Sequence, residues 1–239
     1  YYNKSKLTAD DVKTWDGLTA KGVLATAFTN AYNFYPVFLS AGTQLYGKTG
    51  ETVKGTDINS AKGEQAMAWF AQQKSNKGVM QTSNALNQLK SGKAAAILDG
   101  PWNSANIKKI LGKNFAVAPY PTIKLDGKDV QMQAFLGIAT FAVNSHASGS
   151  NQKAAATLAS FITNKESQLI VYDHSGQIPV DKTAQKSSKV ASDPVAGAVM
   201  TMAKTGNSTL MPKMPQMATF WNDAAPLING AYTGSIPAS

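Results

Sequence analysis

At 239 residues and 43% hydrophobic, the chain can bury a real core, as one large domain or two smaller ones. The absence of cysteine excludes disulfides, thiolate catalysis and zinc–thiolate sites, and no stretch approaches the roughly 18–20 consecutive apolar residues that cross a bilayer. A net charge of +9, with 23 lysines and no arginine, argues against nucleic-acid binding and phosphate clamps, both of which lean on the planar guanidinium.

Helical and strand patterns alternate along the chain, which predicts an α/β architecture. NAYNFYPVFLSAG at 30–42 reads as a helix start that packs Tyr32, Phe34 and Tyr35 within four residues, and three rings so placed cannot all face one core. The run 59–78 opens on Asn59 or Ser60 as a cap, sets Met67 and Phe70 on one face and stops at Gly78, so it predicts a helix. A shorter helix from Ser83 leads into AAAILDG at 94–100, a small apolar run expected to form a buried strand. Pro101 stops that strand, Trp102 follows, and NSANIKKILG predicts another helix before the strand-like FAVAPYP.

Asp126-Gly127 reads as a hairpin turn, and Met132 to Asn144 as one long apolar strand. Ala154 to Thr163 and Glu166 to His174 predict two helices, with Leu158, Phe161 and Ile162 on the core face of the first and Leu169, Ile170 and Tyr172 on that of the second. Helices at 194–207 and 215–230 complete the chain. The lysines are scattered, with no block longer than Lys108-Lys109. They read as a solvated basic surface, with attraction to an anionic wall or membrane surface as the alternative.

Two segments place an indole beside a proline-marked loop next to a helix: DGPW at 99–102 and LMPKMPQMATFW at 210–221. A pyranose carries a patch of C–H on one face and hydroxyls around its rim, so a sugar site needs aromatic plates and polar edges. Trp102 and Trp221, with Tyr32 and Tyr35, are the candidate plates, and Asn, Asp and Lys side chains the rim. Core packing is the alternative for each ring and is the reading adopted for Trp15 and Trp69. Met211, Met214 and Met217 are gap-filling core or an adaptable apolar floor.

YYNKSKLTADDVKTW, NAYNFYPVFLSAG, AAAILDGPWNSANI, FLGIATFAVN and MPKMPQMATFW, in this order, resemble the maltose/maltodextrin-binding proteins, extracellular solute receptors of ABC sugar importers. The resemblance implies a periplasmic-binding-protein-like (type II) two-lobe fold with mainly the C-terminal lobe present. Residues 1–136 and 192–239 would then belong to that lobe and 137–191 to the N-terminal lobe, in a piece of a longer protein. It implies that Tyr32, Tyr35, Trp102 and Trp221 stack on glucosyl units, with Tyr35 standing where a tryptophan is found in an enterobacterial member, and Met211 as a lesser contact. Maltose or maltodextrin and the membrane subunits of the importer are the implied partners. Nucleic acid and cofactors are not expected. The implied location is extracytoplasmic, in a periplasm or on a Gram-positive surface through a lipid anchor outside this segment. The complete protein would be a monomer, whereas this segment would bare an apolar face on the 154–174 helices and self-associate.

The rival reading is a glycan-active hydrolase or its carbohydrate-binding module. Hydrolysis needs two carboxyl groups roughly 5–9.5 Å apart, and the sequence offers one obvious acid, Asp99, at a strand end where a turn or cap role suffices. His146 and His174 share no metal-ligand spacing, and no nucleophile elbow is present. The expectation is a binding protein, not an enzyme. A surface adhesin using its basic charge is the third reading.

Overall fold

A computed structural model describes residues 1–53 and 55–237; Lys54 and the last two positions of the 192–239 segment lie outside the described residues. Nine strands occur along the described chain: β1 Tyr2–Asn3, β2 Leu24–Thr26, β3 Val79–Gln81, β4 Ala96–Ile97, β5 Phe115–Ala116, β6 Thr122–Leu125, β7 Lys128–Gln131, β8 Ala134–Leu136 and β9 Ser208–Leu210. The first five form one sheet in the order β3-β2-β4-β1-β5. Its middle is parallel, β2 lying between β3 and β4, while β1 runs antiparallel to both β4 and β5. Parallel strands need crossovers on the sheet faces, and the helices supply them.

The helices are α1 Trp15–Lys21, α2 Ala31–Phe34, α3 Pro36–Ser40, α4 Ala61–Gln73, α5 Ala85–Lys90, α6 Ser104–Leu111, α7 Gly149–Ile162, α8 Lys165–Ser175, α9 Lys182–Gln185, α10 Ser188–Ala191, α11 Pro194–Met202 and α12 Met217–Thr233. In α4 the residues Ala66, Met67, Trp69, Phe70 and Gln73 are buried, the spacing of a helix pressed on a core along one stripe. α12 lies against α4 and presents Ala224, Ile228 and Ala231, while Pro226 within the same helix is on its exposed side. The expected core indoles are in place: Trp15 and Trp69 are buried and meet edge to face at 4.9 Å between ring centroids. The Trp15 indole N–H donates to Gln73 Oε1 at 2.8 Å, and Gln73 Nε2 donates to the Trp69 carbonyl at 3.0 Å, so the buried amide is satisfied from both ends. The hairpin at Asp126-Gly127 joins β6 and β7 with both residues at positive φ, as a type I′ two-residue turn requires.

Two expectations are corrected. The long strand from Met132 to Asn144 is only β8, which pairs in parallel with β9. Past Leu136 the run takes no regular structure, and Ile138, Phe141 and Val143 are exposed, because no strand among the described residues runs beside it to complete a ladder. α7 and α8 form where the periodicity places them, but Leu158, Phe161 and Ile170 are solvent-facing, Phe161 by 65%. The stripe is real and lacks a surface to pack on. Each helix packs chiefly on its chain neighbours, α7 on α8 and α8 on α9.

Candidate functional site

The cleft opens at the carboxyl ends of β2, β3 and β4, the edge where α/β sheets hold ligands. Thr26 and Ala27 follow β2, Thr82 to Asn84 follow β3, and Leu98 and Asp99 follow β4. Tyr32 and Asn33 enter from α2, and Trp102 stands on the far side, around a volume of about 590 Å³. That size suits a small oligomeric ligand.

Trp102 is presented by a pinned loop. Asp99 accepts the Gly100 N–H on Oδ1 and the Asn103 side-chain amide on Oδ2, both at 2.7 Å. Pro101 then opens a short 3-10 turn over Pro101–Asn103. A Cβ on Gly100 would lie 2.1 Å from the six-membered ring of Trp102, so the indole rests directly over this glycine and would have to move to admit a side chain there. The other side of the ring is open: Trp102 is 63% exposed, although a residue of its size and polarity is usually mostly covered.

Tyr32 connects the two indoles. Its ring centroid lies 6.1 Å from Trp102 at 65° between planes, and 6.3 Å from Trp221 at 43°. Trp221, half-buried at the start of α12, is backed by Phe220 at 4.9 Å and by Phe135 of β8 at 5.8 Å. Three of the four expected plates thus form one continuous wall: Trp102, Tyr32, Trp221. Burial raises the Tyr32 phenol above its ordinary range, so its hydroxyl is a neutral donor at physiological pH. Met211 follows β9, its N–H bonded to the Leu136 carbonyl at 3.1 Å, and is half-buried with Met214 against the same core as Trp221.

Tyr35 is the correction. It is 1% exposed and has no face free for a ligand. The ring lies parallel to Phe135 at 6.2 Å, meets Phe220 edge-on at 4.7 Å and touches Phe38 at 5.4 Å. Tyr32 and Tyr35 both reach Phe135, as a spacing of three residues allows, but Phe135 and Phe220 cover the deeper one. Its hydroxyl shares a 2.8 Å hydrogen bond with Thr56 Oγ1. Burial pushes its pKa up to about 12, the Thr56 bond acting in the opposite direction.

The sequence reading missed Asn33. It is only 7% exposed yet lines the cleft. Its Oδ1 accepts a long 3.4 Å bond from the Tyr120 hydroxyl, and among the described residues its Nδ2 has no protein partner. A carboxamide placed between Tyr32 and Phe34 in an otherwise aromatic run was the available signal. With Asn30, Thr82, Ser83, Asn84 and Asp99 it makes the polar margin of the cleft, and Asp99 is the one carboxylate among the lining residues. Such an arrangement can grip a neutral polyhydroxyl ligand, C–H faces on the rings and hydroxyls on the amides.

Residues 1–198 match the family described as bacterial extracellular solute-binding protein. Over 98% of its length the chain is 29% identical to the maltooligosaccharide ABC transporter solute-binding lipoprotein of Streptococcus pneumoniae strain R6, of which it covers 58%. Its fold superposes with a TM-score of 0.96 on the maltodextrin-binding protein MalE1 of L. casei BL23, determined without ligand, at 98% identity, covering 99% of this chain and 64% of that one. The maltose-binding periplasmic protein of Listeria monocytogenes, in complex with maltose, gives 0.77 at 25% identity over 98% of this chain and 64% of its own. The chain therefore spans less than two thirds of the relatives it matches, and the α/β architecture expected from its sequence is theirs over that span. With its sheet-edge cleft and row of rings, it belongs to the bacterial extracellular solute-binding proteins.

Proposed function

We propose that the chain binds maltose or maltodextrins by aromatic stacking, as part of an extracytoplasmic receptor that delivers sugar to an ABC importer in the membrane. The observation that carries this reading is the wall of Trp102, Tyr32 and Trp221, with centroid spacings of 6.1 and 6.3 Å, beside a cleft edged by uncharged amides and hydroxyls. The names of its relatives, which include maltooligosaccharide-, maltodextrin- and maltose-binding proteins, support the choice of sugar. Met211 and Met214 supply the soft floor beneath the Trp221 end. Tyr35 contributes from behind, fixing Phe135 and Phe220, which in turn hold Trp221.

No chemistry is done on the ligand. A retaining or inverting hydrolase needs a carboxylate pair, and among the described residues the cleft lining has Asp99 alone, with both oxygens already bonded within its own loop. In the division of the chain we propose, residues 1–136 and 192–239 make one lobe and 137–191 belongs to a second. Among the described residues the main hydrophobic clusters draw their buried members from 2 to 135 and from 217 to 231, which supports setting 137–191 apart from the main core; buried Val195 and Ala196 of α11 also lie outside those clusters. Closure of two lobes over the sugar would present the liganded shape to the importer.

Titration calorimetry with maltotriose tests the reading. Trp102→Ala and Trp221→Ala should each weaken binding about tenfold, roughly 1.4 kcal/mol for a lost stacking face. Variants that bind like the parent would remove both rings from the site. Shortening of maltoheptaose on incubation would establish the hydrolase instead.

A further inference from the structure

One face of the molecule, remote from the cleft chemistry, concentrates the positive charge. Between Glu64 and Asp126 the only carboxylate side chain is Asp99, and its oxygens are committed to the Trp102 loop. The same stretch contains lysines 74, 77, 90, 93, 108, 109, 113 and 124. The fold then brings two more beside them. Lys4 donates its backbone N–H to the Asn114 carbonyl at 2.9 Å, which places it next to Lys113. Lys6 reaches the Gly92 carbonyl with its ammonium group, which places it between Lys90 and Lys93. β1 pairs with both β4 and β5, and α5 packs on α6, so these segments form one continuous surface.

Lys4, Lys6, Lys90, Lys93, Lys109 and Lys113 are all exposed, and among the described residues none is in an ion pair. Within that stretch Lys124 pairs with Asp16, and elsewhere Lys189 pairs with Asp173 and Lys213 with Glu51. The face also has none of the exposed large apolar side chains, which lie at Val53, Trp102, Leu210 and Ile236 and at positions between 138 and 180. A surface of hydrated point charges without an apolar anchor and without guanidinium forks fits a flexible hydrophilic polyanion better than a bilayer that must be penetrated or a phosphate that must be clamped.

We infer that this lysine face docks the protein on a flexible, hydrophilic polyanionic polymer, holding the receptor within a charged envelope while its cleft stays free for neutral sugar. Binding of this kind releases counterions and weakens steeply with salt.

The test is fluorescence anisotropy with labelled long-chain inorganic polyphosphate from about 50 to about 200 mM salt, the range over which such contacts are lost. The variant Lys6→Gln/Lys93→Gln/Lys109→Gln/Lys113→Gln is compared with Lys128→Gln/Lys153→Gln/Lys186→Gln/Lys204→Gln, which removes the same charge from other exposed positions. The first should bind at least about tenfold more weakly at low salt, its slope of log affinity against log salt reduced by about 0.7 per contact removed; the second should stay near the parent. Unchanged maltotriose binding and circular dichroism confirm intact proteins, and the single variants Lys93→Gln and Lys113→Gln, each with a smaller slope change, serve if the fourfold variant does not fold. Equal losses in the two fourfold variants would reduce the effect to net charge and overturn the inference, as would no binding by the parent. Tighter binding to anionic phospholipid vesicles than to polyphosphate would reassign the face to a membrane.

Discussion

Burial keeps the Tyr35 phenol protonated, with its pKa pushed up to about 12 against about 10 in an unfolded chain. The unfolded form therefore ionises first. Below pH 10 this group contributes its full stabilisation; as the pH rises from 10 through 12 that stabilisation is lost, about 3 kcal/mol in all at about 1.4 kcal/mol per unit. Tyr35→Phe removes the liability. We expect it to cost about 1 kcal/mol at neutral pH through loss of the Thr56 hydrogen bond, and to flatten the decline in urea midpoint between pH 8 and pH 11. If parent and variant decline in parallel, other buried phenols such as Tyr120 govern the alkaline limb. The same residue marks where sequence reading of the site ended. Trp102 and Trp221 were legible because proline-marked loops hold them at the rims of helices. Tyr32 and Tyr35 are indistinguishable by spacing, and only the arrival of Phe135 and Phe220 from distant segments separates a wall ring from a core ring.

At the scale of elements, close backbone approach is as decisive as side-chain packing. A Cβ at Gly78 would meet the Thr19 carbonyl oxygen at 1.9 Å, and the Gly78 carbonyl accepts the Leu24 N–H at 2.8 Å where β2 meets β3. Gly78→Ala should lower stability by about 1–3 kcal/mol, because α1 and the β3 edge must separate to admit a methyl group. Gly149→Ala, at the start of α7 with nothing within 4 Å, should be neutral or stabilising by up to about 1 kcal/mol. Chemical denaturation of both variants checks the contrast, and similar midpoints would refute it. Helices were the readable elements, since α4 and α6 carry their apolar stripes locally and α6 closes on Gly112 at positive φ, although neither has a side-chain hydrogen bond at its N-terminus. The 132–144 run misled for a complementary reason: its apolar pattern is genuine, but strand formation depends on a neighbour that its own sequence cannot specify.

For the molecule as a whole, Phe141, Leu158, Phe161 and Ile170 leave apolar surface uncovered outside the main core. Exposed patches of this kind drive association. The chain should self-associate in a concentration-dependent manner by sedimentation velocity, and Leu158→Lys/Phe161→Lys should shift it toward monomer while leaving circular dichroism unchanged. Identical sedimentation of the two would show that this surface is tolerated in water.

The ring planes along the wall are not parallel, turning by 65° from Trp102 to Tyr32 and by 43° from Tyr32 to Trp221. A ligand that lies flat on each plate in succession has to curl as it advances. α-1,4-linked glucose does so through the bend at every linkage, whereas the β-1,4-linked isomer extends as a straight ribbon and could rest on one plate at a time. On the proposed reading of the site, the twist of three side chains acts as a gauge of anomeric configuration, and cellotriose, identical in composition to maltotriose, should be ignored in the calorimeter.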